Sequence, residues 1–124
     1  MPTELLPGTG ASILMRSALI AAEIVTALNQ KGCQSKSINV KENNIITVEK
    51  KNEILGYVGK PTKIDDKLLK NIIKENFIPV ISPMGLDKKK QTYNINADTA
   101  AGALARSLKS RRLLLMTDVE GVYD

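Results

Sequence analysis

Two short apolar runs, Phe77-Ile78-Pro79-Val80-Ile81 and Leu113-Leu114-Leu115-Met116, stand on either side of one alanine-rich stretch. Apolar runs of this length without alternation suit strands buried on both faces. The stretch from about Ala97 to Ser107 carries Ala100, Ala101, Ala103, Leu104 and Ala105. Small side chains in such number predict a helix that lies close on a sheet. Strand, helix and parallel strand make a βαβ unit with a right-handed crossover. The chain therefore belongs to the α/β class. Pro79 is awkward in a central strand, because it donates no ladder hydrogen bond.

Composition narrows what such a fold can do. The 124 residues fit one domain, and aromatic residues are only 3%, so the core must be aliphatic. There is no histidine, which excludes imidazole catalysis and His-metal sites. The single Cys33 permits no intrachain disulfide, and the chain reads as intracellular and cytoplasmic. No stretch approaches the roughly 18 uninterrupted apolar residues of a membrane span. The formal charge is +5, concentrated in Lys88-Lys89-Lys90 and Lys109-Ser110-Arg111-Arg112. These clusters are short and lack interleaved aromatics, so they suit solvated surfaces or a polyanionic small molecule better than nucleic acid.

Along the chain, residues 1–10 are punctuated by Pro2, Pro7, Gly8 and Gly10 and predict an irregular leader. Residues 11–124 read as one domain. From Ser12 to Lys31, Ile13, Leu14, Ala18, Ala21, Val25 and Leu28 follow helical spacing up to Gly32, a good C-cap. Ser35–Val40, Asn44–Val48 and Leu55–Val58 predict hairpin strands with turns at Glu42-Asn43 and Lys51-Asn52. Gly59-Lys60-Pro61-Thr62 reads as a turn. It is no phosphate loop, since the first glycine of such a loop would fall at Ile54. A helix starts near Asp65 or Asp66, with Leu68, Leu69, Ile72 and Ile73 as its buried stripe. Met84 to Lys90 predicts an exposed hairpin.

Two polar knots carry the chemistry. Asn94, Asn96 and Asp98 fall at the start of the alanine-rich helix, where free amides and the positive dipole end lie. One of them suffices as a cap. Three exceed what a cap needs, and they can present amide donors to a carboxylate and one acidic group to organise cations. The second knot, Asp118-Val119-Glu120-Gly121-Val122-Tyr123, follows the second apolar run. It reads either as a plain turn or as a βα loop at the carboxyl edge of a sheet, where nucleotides bind.

Asn94-Ile95-Asn96-Ala97-Asp98-Thr99-Ala100-Ala101-Gly102-Ala103, together with Leu115-Met116-Thr117-Asp118-Val119-Glu120-Gly121-Val122-Tyr123-Asp124, closely resembles the acetylglutamate kinases of the amino acid kinase family. The likeness runs from about Leu55 to Asp124 and is fainter back to Ala18. It implies an open αβα sandwich with a mainly parallel sheet, here incomplete and with a β-hairpin excursion. It implies transfer of the ATP γ-phosphoryl group to the side-chain carboxylate of N-acetyl-L-glutamate, in arginine biosynthesis. ATP with Mg2+ is then the co-substrate, there is no prosthetic group, and the intact enzyme is a homo-oligomer. By the same resemblance Asn94 holds the acetylglutamate, Asn96 belongs to the same substrate motif, and Asp98 orients catalytic lysines. Asp118, Val119, Glu120, Gly121, Val122 and Tyr123 form the nucleotide-binding loop.

The departures are specific. The lysine-bearing first strand and glycine-rich loop of the family have no counterpart, and Arg16 stands in the wrong context for the substrate-holding arginine. Ala21-Ala22 replaces a usual Asn-Lys pair, and Ile38-Asn39-Val40-Lys41-Glu42 departs from Ser-Gly-Lys-Asp. The expectation is the central part of such an enzyme, inactive by itself, with the second catalytic lysine beyond Asp124. Two alternatives stand beside it: another member of the family, of aminoadipate or glutamate kinase type, or a non-catalytic chain that binds a partner.

Overall fold

A computed structural model describes residues 10–38, 40, 43–50 and 58–117. Helix α1 spans Gly10–Gln30, followed by β1 (Ser35–Ile38), β2 (Ile46–Lys50) and β3 (Gly59–Ile64). Helix α2 (Asp66–Lys74), β4 (Ile78–Ile81), β5 (Met84–Leu86), β6 (Thr92–Asn94) and α3 (Ala97–Ser107) complete the order. β1 and β4 form a parallel pair, with Ser35 opposite Ile78 and Ile38 opposite Ile81. A second sheet has the order β3-β2-β5-β6. In it β2 meets β5 in parallel and the outer pairings are antiparallel. The α/β class with a parallel pair and a hairpin excursion is thus the observed one.

The helices end where their sequences dictate. α1 closes at Gly32, which takes φ 86°, a value that glycine adopts without cost. α2 begins at Asp65, whose carboxylate accepts the Leu68 N–H at 3.2 Å. Its stripe buries Leu69 completely and Leu68 and Ile72 in part, while Ile73 remains exposed. α1 is tied to β1 by Ser35, whose N–H and hydroxyl both donate to Asn29 Oδ1, at 3.1 and 3.0 Å. The main core gathers Ile38, Ile45, Ile46, Val48, Leu69, Tyr93, Ile95 and Ala100, mostly aliphatic as composition requires.

Several expectations change. β1, expected as a hairpin strand, pairs in parallel with β4 instead, and the Phe77–Ile81 run, expected buried on both faces, is only partly covered, with Ile78 exposed. Gly59 to Thr62 is not a turn but the start of β3. An edge strand tolerates Pro61, and a register shift between Thr47 and Val48 absorbs it, with the Thr62 hydroxyl donating to Thr47 O at 3.2 Å. The same logic places Pro79, because β4 has β1 as its single neighbour among the described residues. The Met84–Lys90 hairpin exists, but its first strand is buried at Met84 and Gly85, and only its turn is exposed. Finally, Leu113–Met116 is no strand. Leu114 is 81% and Met116 96% exposed, with no strand alongside among the described residues. A strand of this kind needs cover on both faces and ladder partners, and the described residues supply neither there. Residues 1–9, Leu55–Tyr57, Glu42, Lys51 and Asn52 of the expected turns, and Asp118 to Asp124 of the expected nucleotide loop lie outside the described residues.

Candidate functional site

The junction between β6 and α3 brings Asn94, Asn96 and Asp98 together within five residues. Asn94 is the last residue of β6, paired with Met84 on β5 and bridged in parallel to Val58. Ile95 follows, 1% exposed, with its N–H donated to Pro83 O at 2.8 Å. A buried isoleucine in the core and a backbone bond to the neighbouring strand hold this link in place. Asn96 then caps α3: its Oδ1 accepts the Thr99 N–H at 3.0 Å and the Thr99 hydroxyl at 3.3 Å. Asp98 stands exposed in the first helical turn.

These three residues are not equivalent. The oxygen of Asn96 is committed to the cap, which leaves its Nδ2 as a donor. The half-buried side chain of Asn94 has no hydrogen-bond partner among the described residues, although its backbone is fixed in β6. The N–H groups of Ala97 and Asp98 also have no partner among those residues, as expected for the first turn of a helix. The junction therefore offers two backbone donors at the positive end of a helix dipole and two side-chain amides. Such a set suits a carboxylate or phosphate. The Asp98 carboxylate makes no ion pair among the described residues.

Behind the junction, the sheet is unusually tight. A Cβ on Gly85 would run into Ile46 O and lie 2.7 Å from Val48 Cγ1, and one on Gly59 would lie 2.9 Å from Tyr93 Cβ. Glycine at these two positions lets β5 and β3 approach β2 and β6 closely. Asn44 adds a side-chain clamp, its Oδ1 accepting the Leu86 N–H at 3.1 Å and its Nδ2 donating to Thr47 at 3.4 Å. Sequence reasoning places Asn44 at the start of a strand but passes over this clamp, because its partner Leu86 lies on another strand that only the fold brings alongside. It passes over Lys50 and Tyr93 for another reason: they share a concavity with the 87–91 turn only through the pairing of β2 with β5. The second knot, Asp118 to Tyr123, lies outside the described residues. Among the described residues there is no cluster of three acidic or cysteine side chains that would hold a metal ion, and no helix long and apolar enough to cross a membrane.

Over 102 residues the chain is 59% identical to an acetylglutamate kinase from Pelagibacter ubique (strain HTCC1062), covering 82% of the chain and 35% of that relative. It is 44% identical over 109 residues to an acetylglutamate kinase from Ruegeria sp. (strain TM1040), covering 88% of the chain and 38% of the relative. The chain thus spans little more than a third of the length of these curated relatives. A solved structure, the crystal structure of smu.665 from Streptococcus mutans UA159, superposes with a TM-score of 0.81 at 28% identity, over 86% of this chain and 44% of that one. A family model described as the amino acid kinase family matches residues 9–124, nearly the whole length, and the chain belongs to that family.

Proposed function

We propose that this chain forms the acceptor-binding part of an acetylglutamate kinase, an ATP-dependent phosphotransferase that acts on the side-chain carboxylate of N-acetyl-L-glutamate. The observation that carries this reading is the 59% identity to a relative of that name, over a span that includes the β6–α3 junction. The junction's chemistry supports it. Phosphoryl transfer asks a protein for alignment and charge stabilisation more than for covalent help. Asn94, with an uncommitted amide on a rigid strand end, donates to the acetylglutamate. Asn96 starts the helix and offers its remaining N–H groups. The free amides of Ala97 and Asp98 receive a carboxylate, and Asp98 orients the cations that meet the transferring group. ATP brings Mg2+ bound chiefly through its phosphate oxygens. Asp118 to Tyr123 form the nucleotide end of the site.

Titration of the chain with N-acetyl-L-glutamate, L-glutamate and L-2-aminoadipate, followed by amide chemical shifts, tests the reading. The expected outcome is saturable binding of N-acetyl-L-glutamate with shifts centred on 94–99, and weaker binding of the other two. Preference for glutamate or aminoadipate would move the assignment to another branch of the family. No binding of any of the three would favour a non-catalytic role. The chain alone is expected to form no acyl phosphate trappable as a hydroxamate, since no lysine of its sequence matches the family's catalytic pair and each such cation is worth several kcal/mol by analogy with other charge stabilisers (~3 kcal/mol).

A further inference from the structure

The charged cluster that the β6–α3 junction leaves unused lies elsewhere. Past the Thr47–Leu86 pair, β2 and the chain after β5 run in the same direction. That register carries Lys50 to the same end of the sheet as Lys88 and Lys89. Together with Thr62, Gln91 and Tyr93 they line a concavity of about 660 Å³, within the range of small-molecule sites. None of Asn94, Asn96 and Asp98 lines it.

Its charge is not balanced internally. Two acidic residues, Glu49 and Asp87, also line the concavity. Asp87 is engaged by its own turn, its Oδ1 accepting the N–H groups of Lys89 and Gln91, both at 2.9 Å. Glu49 stands directly across the ladder from Lys60. Lys50, Lys88 and Lys89 make no ion pair among the described residues. Three lysines are thus held at one mouth by a paired strand and a hydrogen-bonded turn. No arginine lines it, so planar, bidentate carboxylate recognition is not what it is built for. Compact ammonium groups on flexible stems suit clustered phosphates.

We propose that this concavity is a second ligand site, separate from the β6–α3 junction, for a small molecule bearing linked phosphate groups. Inorganic tripolyphosphate is the probe, with citrate as a polycarboxylate of similar charge and a short single-stranded oligonucleotide as further arms. Calorimetry at low salt should give saturable one-to-one binding of tripolyphosphate, tighter than either other ligand. Lys50→Gln, Lys88→Gln and Lys89→Gln should each weaken it about fivefold, the Coulomb energy of one exposed charge pair at contact in water. The double variant Lys109→Gln/Arg111→Gln, which removes charge outside the concavity, should leave it unchanged, and amide shifts should concentrate at Lys50, Thr62 and 87–91. All five side chains are exposed, so the variants keep the fold, which circular dichroism checks. Equal weakening by the control variant, binding without saturation, or tighter binding of citrate or the oligonucleotide would overturn the proposal. N-acetyl-L-glutamate binding at the junction is measured separately, so failure of one site does not decide the other.

Discussion

Asn94 and Asn96 stand two residues apart and look alike in sequence, yet their side chains differ in the structure: one caps a helix and the other has no hydrogen-bond partner among the described residues. Asn96 Oδ1 satisfies the Thr99 N–H, so Asn96→Ala should lower stability by about 1 kcal/mol, seen as a shifted urea midpoint. Asn94's side chain has no partner among the described residues, so Asn94→Ala should leave the urea midpoint in place. If it binds substrate, the same change weakens N-acetyl-L-glutamate binding by about tenfold, the value of one good hydrogen bond to a charged group. A variant pair with these effects exchanged would reverse the two roles. The motif itself was readable, because asparagine and aspartate before an alanine-rich run announce a helix start. Which amide the cap would consume was not. That depends on a strand ending at Asn94 and on Ile95 being drawn into the core, both set by distant partners.

Helix α3 matches its expected span, Ala97 to Ser107, because caps, alanine content and spacing all agree there. Gly102 is the exception inside it. A Cβ at that position meets nothing within 4 Å, so the glycine is not required by packing among the described residues. Gly102→Ala should therefore raise stability by about 0.5–1 kcal/mol, read from thermal or urea unfolding. Gly85→Ala should do the reverse, with a loss of about 1–3 kcal/mol, because its Cβ would meet the Ile46 carbonyl on the neighbouring strand. Two glycines of equal weight in the sequence thus differ in sign. Strand β3 was hidden for the same reason: glycine and proline announce a turn locally, and only the sheet order shows that Gly59 and Pro61 lie on an edge.

Across the molecule, hydrophobicity and burial part company at one place. Leu69 and Leu114 are the same residue type, and Leu114 stands in the more continuously apolar run. Leu69 on α2 is fully buried against the main core, while Leu114 is 81% exposed. The run Leu113–Met116 reads as a strand because nothing in its own residues distinguishes a strand that has partners from one that lacks them. Pairing is a property of the rest of the fold, and the described residues supply β4 with β1 alone. The difference is measurable with one substitution made twice. Leu69→Ala removes buried methyl groups and leaves a cavity, so it should cost about 2–5 kcal/mol in urea unfolding. Leu114→Ala removes surface already in water and should change stability by no more than about 0.5 kcal/mol. Equal losses at the two positions would mean that Leu114 is covered when the chain folds, and would restore the buried βαβ unit that its sequence suggests. A large gap would mean that this apolar segment adds nothing to the stability of the chain, whose fold would then rest on the core around Ile46, Leu69 and Ile95.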